Sequence, residues 1–259
     1  MADLHGIGIL VTRPQHQAMP LCRLLEVAGA VTYRLPAIDI KPLTDRRALS
    51  ARLGNLANFD LIIFLSANAV RFGAGLLEQK RDLNLAAIGP ATARALNQAG
   101  YRVAVQPAGG FDTESLLRHP TLHALAGKRI LLIKGSGGRD LLPTELVRRG
   151  AEVVPADVYR RERPQPDASE LATLELRFAA REIHLITATS VETVVNLLAL
   201  ATPSLGTQFG SVPWVVPGAR IAAALRELAP GVSVIQADSA EDQDLVAAIR
   251  RWRSSESGA

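Results

Sequence analysis

Short apolar runs rich in β-branched residues alternate with longer stretches of helical spacing from one end of the chain to the other. Parallel strands are buried on both faces and need crossover helices, so this alternation predicts α/β architecture with parallel sheets and helices on both sides. Ten runs read as strands: ILVT (Ile9–Thr12), AVTYRL (Ala30–Leu35), LIIFL (Leu61–Leu65), LAAIG (Leu85–Gly89), RVAVQ (Arg102–Gln106), RILLI (Arg129–Ile133), EVVPADVY (Glu152–Tyr159), IHLIT (Ile183–Thr187), PWVV (Pro213–Val216) and VSVIQ (Val232–Gln236). One ordinary flavodoxin-like sheet holds fewer, so the pattern predicts two.

Two stretches read as extended connections, PAIDIKPL (36–43) and RRERPQPD (160–167), because proline holds the preceding residue in β or polyproline geometry. If both are crossings, the first strand–helix–strand unit pairs with the C-terminal third. Domain one is then discontinuous, 1–38 with 167–259, and domain two spans 39–163.

Internal similarity supports a duplicated flavodoxin- or Rossmann-like unit. Ile9–Val31 aligns without a gap on Ile130–Glu152, and Gly29 and Gly150 fall where a helix closes on a left-handed residue. LSANAV (65–70) matches TSVETV (189–194), and GPATARAL (89–96) matches GARIAAAL (218–225).

Composition narrows the chemistry. The 259 residues are 48% hydrophobic and 21% charged, enough apolar content to bury one large core or two small ones. No apolar run approaches the roughly 20 residues of a membrane span, and no secretory leader is evident, so the expected address is the cytoplasm. The single cysteine, Cys22, rules out an internal disulfide and reads as a small buried hydrophobe. His119 and His123 share helical spacing but flank Pro120, and the other histidines are scattered, so no metal site is expected. The net charge of +4 suits an anionic partner. With 4% aromatic residues and dispersed arginines, a small polyanion fits better than nucleic acid.

In an open parallel sheet, ligands bind beyond the carboxyl ends of the strands. The turns there offer small polar side chains and helix-start N–H groups: Ser66, Ala67 and Asn68; Gly89 to Thr92; Lys134, Gly135 and Ser136 with Arg139; Ser190 and Val191; Gly218 and Arg220; and Arg13 in the first unit. Several such helix starts around one hollow would hold several carboxylates. Each has a plainer reading beside it. Ser66, Thr92 and Ser190 are common helix caps, and KGSGGRD (134–140) equally fits a tight connection with solvated charges. The same ambiguity holds for Arg13. KGSGGRD matches neither the P-loop nor Gly-x-Gly-x-x-Gly, which argues against a dinucleotide site. No Ser–His–acid or Cys–His arrangement and no paired carboxylates point to hydrolysis. Tyr159, closing a strand before the second connection, could donate a proton or serve a structural hydrogen bond; Tyr33 and Tyr101 read as packing.

The motifs ILVTRP with PAIDI, FDLIIFLSANAV, AAIGPATARAL and RILLIKGSGGRDLLPTELVRRGAEVVPADVYRR, in this order, resemble the uroporphyrinogen-III synthase family from Ile9 to about Val246. The resemblance implies two similar domains joined by a two-stranded ladder and no cofactor. It implies a reaction in which hydroxymethylbilane, an anionic linear tetrapyrrole, loses water, forms a spiro intermediate that inverts ring D, and closes to uroporphyrinogen III. The family's general-acid candidate matches Tyr159, its Gly-Pro-x-Thr threonine Thr92, and its helix-start serine Ser66. Two departures stand out: Ile221 replaces a hydroxyl residue in the C-terminal turn, and Lys134 stands where arginine is common, giving up a bidentate grip on carboxylate. A cytoplasmic monomer is the simplest assembly. The competing readings are a two-lobed sensor module without catalysis, which a leader or a DNA-binding helix pair would favour, and a receiver-type signalling protein, which an acidic phosphorylation cluster would favour. The terminal SSESGA reads as a frayed tail.

Overall fold

The computed structural model describes residues 3–256 apart from Thr44, Gln79, Arg81, Ala108, Phe111 and Arg139. In chain order the elements begin with β1 (Gly8–Val11), α1 (Gln15–Val27), β2 (Val31–Arg34), β3 (Asp39–Pro42) and α2 (Arg46–Leu53). They continue with β4 (Leu61–Phe64), α3 (Ala67–Gly73), β5 (Leu85–Ala87), α4 (Pro90–Gln98), α5 (Thr113–Leu117), β6 (Arg129–Gly135), α6 (Leu141–Arg148) and β7 (Glu152–Glu162). The last third holds α7 (Ala168–Ala179), β8 (Leu185–Thr187), α8 (Val191–Leu200), α9 (Pro203–Ser211), β9 (Trp214–Pro217), α10 (Gly218–Leu228), β10 (Val234–Ala237) and α11 (Asp242–Glu256).

The described strands form two five-stranded sheets, β10-β9-β8-β1-β2 and β3-β7-β6-β4-β5. The chain divides into two compact units, Met1–Asp39 with Glu162–Ala259, and Ile40–Arg161. In the first, Ile9, Val11, Leu185 and Val215 face a layer built from α1 and α11, while Leu10, Ile186, Trp214 and Val216 face α7 to α10. In the second, Ile62, Phe64, Leu131 and Ile133 face α2, α3 and α4, and Leu61, Ile63, Ile130 and Leu132 face α5 and α6. Apolar side chains of period two on both faces make each sheet the middle of a three-layer sandwich.

The strand registers reproduce the repeat. Ile9 pairs with Leu185 and Ile130 with Leu61, all in parallel, so laying Ile9 on Ile130 carries Ser190 onto Ser66. Ile186 pairs with Trp214 and Ile62 with Leu85, which carries Gly218 onto Gly89. The helix ends match as well. Gly29 (φ 95°) and Gly150 (φ 91°) each sit one residue past the cap of α1 and α6, where the backbone must turn left-handed to return hydrogen bonds to the last turn.

Several expectations need correction. RVAVQ is not a strand: only Val105 makes a bridge, to Ala86 of β5. Its neighbour β5 has three residues, and Pro107 has no N–H to extend the ladder. The first connection instead contains β3, lying beside β7, so the count of ten strands survives with a different member. β3 lies at the sheet edge, where Pro42 is tolerated. β7 runs to Glu162, which puts Tyr159 inside a strand rather than at its close. The tail is ordered further than its polar composition predicts, because α11 buries Leu245, Val246 and Ile249 and carries Ser254 and Ser255 in its last turn.

Candidate functional site

The second unit places most of the expected residues at the carboxyl edge of its sheet. Ser66 follows β4 in extended geometry, and its hydroxyl accepts the Ala69 N–H at 2.9 Å, capping α3. The capping role expected of a lone serine is therefore real. The same hydroxyl lies 3.1 Å from the phenol oxygen of Tyr159, which is 4% exposed. Ala67 and Asn68 form the first turn of α3, and Asn68 is buried. Next to them, after β5, Gly89 starts α4 with Pro90 at its first position; Gly89 has no side chain to cap the turn, so the N–H groups of Ala91 and Thr92 have neither a helical nor a capping partner. Thr92 itself is 3% exposed.

Tyr159 sits in a slot. The backbone N–H of Ser136 donates to the Tyr159 carbonyl at 2.8 Å. Phe72 meets the phenol ring at a centroid distance of 5.9 Å, tilted by 30°. On the Gly135 side there is no room for a side chain, since a Cβ there would stand 2.4 Å from the phenol Cζ. The glycine-rich turn behind it folds back on its own charge. Lys134 Nζ donates to the Gly137 carbonyl at 2.9 Å and pairs with Asp157 at 3.3 Å, so the ammonium is held by its own loop and strand. Ser136 is exposed. Arg139 lies outside the described residues.

The first unit carries the remaining residues at the equivalent edge. Ser190 caps α8 by accepting the Thr193 N–H at 3.0 Å, and its hydroxyl lies 2.8 Å from that of Thr193. Val191 is the half-buried first residue of α8. α10 starts at Gly218 (φ 70°) with no side-chain cap, leaving its first N–H groups open, and Arg220 is exposed beside them. Ile221 is buried among apolar residues. Arg13 does not stand free: its guanidinium bonds the Asp242 carboxylate and the Ala240 carbonyl at the start of α11. Two of the four expected basic side chains, Arg13 and Lys134, are thus already paired with a nearby acid, and neither acid, Asp242 or Asp157, was legible as a partner from sequence distance. The other tyrosines do serve structure: Tyr33 donates to Glu182 at 2.9 Å, and Tyr101 packs against the second core. Among the described residues, no cluster of three or more His, Cys, Asp or Glu could hold a metal ion, and no helix is long and apolar enough to cross a membrane.

Two parallel sheets sandwiched by helices, each with a serine-capped helix start and further helix starts without a side-chain cap at its carboxyl edge, define a duplicated doubly wound α/β protein with polar, N–H-rich turns where such folds take ligands. The particular family follows from comparison. The family model described as uroporphyrinogen-III synthase HemD matches residues 20–247, and the chain belongs to that family. It is 35% identical over 199 residues to the uroporphyrinogen-III synthase of Escherichia coli (strain K12), covering 75% of this chain and 80% of that one. The Synechococcus elongatus enzyme of the same name is 31% identical over 215 residues, covering 80% of both. In fold, the chain resembles the uroporphyrinogen-III synthetase of Helicobacter pylori, with a TM-score of 0.62 at 16% identity over 95% of this chain and 99% of that one. A mutant synthase from the extremely thermophilic bacterium Thermus thermophilus gives 0.58 at 22% identity over 98% and 100%.

Proposed function

We propose that this chain is a cyclising lyase of tetrapyrrole biosynthesis, which closes hydroxymethylbilane to uroporphyrinogen III with loss of water and inversion of ring D. The observation that carries the chemical part is the Tyr159–Ser66 pair. Ser66 Oγ accepts the Ala69 N–H, so its own proton is free to point at the phenol oxygen. A phenol that receives a hydrogen bond is a better donor of its own proton, here toward the departing hydroxyl of the bilane. The C–O bond breaks with its electron pair on oxygen, and the oxygen leaves as water. General-acid assistance of this kind is worth about two to four powers of ten.

The open helix starts at α4 and α10 supply N–H groups for the bilane's carboxylates, and the positive ends of the helix dipoles favour that charge. Holding the pyrroles so that ring A meets the substituted carbon of ring D directs the closure toward the inverted isomer, a proximity effect worth several kcal/mol. Because Lys134 and Arg13 are already paired, backbone groups rather than these side chains carry the binding. The same reading takes 1–38 with 167–259 and 39–163 as the two domains, and the working form as a cytoplasmic monomer without cofactor.

The test is to supply hydroxymethylbilane and separate type I from type III uroporphyrin after oxidation. The wild-type chain is expected to yield type III, and Tyr159→Phe to lose about a hundredfold in rate. Type I alone from the wild type would refute the activity. Full rate and isomer ratio in Tyr159→Phe would refute the role of the phenol and leave the activity standing.

A further inference from the structure

We propose that a β-bulge in β7, together with the missing side chain of Gly135, is the device that aims Tyr159 at Ser66, making Gly135 a positioning residue. Along β7 the side chains alternate as a strand requires. Val154, Ala156 and Val158 pack on the layer formed with α2, α3 and α4, and Val153 packs on the opposite layer. Continued without interruption, the alternation would send Tyr159 to the side of Val153, away from Ser66. It does not continue. Lys134 pairs with Asp157, but the next residue of β6, Gly135, pairs with Tyr159, so Val158 is an extra residue with no partner in β6. Val158 and Tyr159 consequently pack, though adjacent in sequence, in the same core. A bulge of this kind re-aims a side chain, and bulges in parallel ladders are rare.

Re-aiming the ring creates a steric demand that only glycine meets. The phenol lies directly over Gly135, where a built Cβ falls 2.4 Å from Cζ, 2.6 Å from Cε2 and 2.9 Å from the phenol oxygen. Phe72 contacts the ring as well, so a methyl group at position 135 forces the phenol end off Ser66. Gly135 has no left-handed backbone to account for it, unlike Gly137 and Gly138 in the same turn. The corresponding stretch of the first unit lacks the steric part of the device: Pro14 stands opposite Gly135 in the repeat, and the chain after β2 carries Ala37 rather than a tyrosine.

The inference rests on Tyr159 acting on the substrate, and the experiment separates the two. Rates and KM for hydroxymethylbilane are measured for Gly135→Ala and Phe72→Leu, each in the wild-type and the Tyr159→Phe background, with circular dichroism as a check on folding. Moving a reacting group by about 1 Å can cost a hundredfold, so Gly135→Ala is expected to lower kcat about a hundredfold with KM changed less than about threefold. In the Tyr159→Phe background the same change is expected to have no further effect on kcat. An equal loss in both backgrounds overturns the proposal. Should Gly135→Ala not fold, Phe72→Leu decides: a loss of roughly three- to tenfold confined to the background that retains the phenol supports the device, and an equal loss in both backgrounds refutes it. Full activity of Tyr159→Phe alone would instead defeat the role of the phenol on which the proposal depends.

Discussion

Ser66 and Ser190 hold the same place in the two units and cap their helices with the same bond, yet only Ser66 has a phenol on its far side. The units diverge consistently around that point. Where the second unit has Phe72 against Tyr159, the first has Asn196, whose Nδ2 donates to the Ala37 carbonyl at 2.9 Å. Where the second has Ile133 and Ile63 in adjacent strands, the first has Thr12 and Thr187, whose hydroxyls donate to the Thr187 and Leu10 carbonyls and staple β1 to β8. Thr92 at the start of α4 corresponds to Ile221 at the start of α10. A duplicated fold thus keeps its open helix starts in both copies while one copy sets a buried phenol against its capping serine and the other closes its polar groups onto its own backbone.

The comparison breaks most readily at the serines. Ser66→Ala and Ser190→Ala should each lower stability by about 1 kcal/mol through the lost cap. Only Ser66→Ala should also lower kcat, by roughly tenfold or more, since it strips the hydrogen bond from the phenol. Parallel thermal melts and synthase assays read both; equal kcat losses would mean that the units share the chemistry.

The paired bases offer the next contrast. Arg13 is the more enclosed, with its side chain 14% exposed against 20% for Lys134, and Asp157 is more open than Asp242. Arg13→Ala strands a half-buried carboxylate and is expected to cost about 1–3 kcal/mol, whereas Lys134→Ala should cost under about 1 kcal/mol. Denaturant titration checks the order, and bilane affinity should be little changed in either variant. A large affinity loss with intact stability would restore these side chains as substrate ligands.

Acid tests the second unit by itself. Hydrogen bonds from Arg148 and Arg149 hold the Glu145 carboxyl down at about 2, and Arg149 also donates to the Leu117 and Leu122 carbonyls beside α5. A carboxyl depressed in the folded state stabilises fully above its ordinary value of 4.5, and that contribution is lost as pH falls from there through about 2. Glu145→Gln should flatten the stability profile over that interval, and an unchanged profile would show that the arginines hold α5 and α6 together without it.

The smallest expected effect concerns helix ends. Arg181 occupies, at φ 55° after α7, the left-handed place that Gly29 and Gly150 fill after α1 and α6, and makes the same pair of backbone bonds. Arg181→Gly should raise stability by about 0.5–1 kcal/mol by relieving that conformation.

What the chain alone determined is what depends on neighbours close in sequence. Strand–helix alternation, the duplicated unit and the serine caps follow from periodicity and local hydrogen bonding, so Ser66, Gly89, Ser190 and Gly218 were found at helix starts as expected. Tertiary structure decided whatever depends on register. A bulge adds one residue to a ladder without any composition that marks it, yet it turns Tyr159 from one face to the other and gives Gly135 its purpose. The ion pair between Arg13 and Asp242 and the edge strand at Asp39–Pro42 are of the same kind. Charge and unpaired backbone are visible in a sequence, but their partners are assigned only when distant segments come to lie side by side.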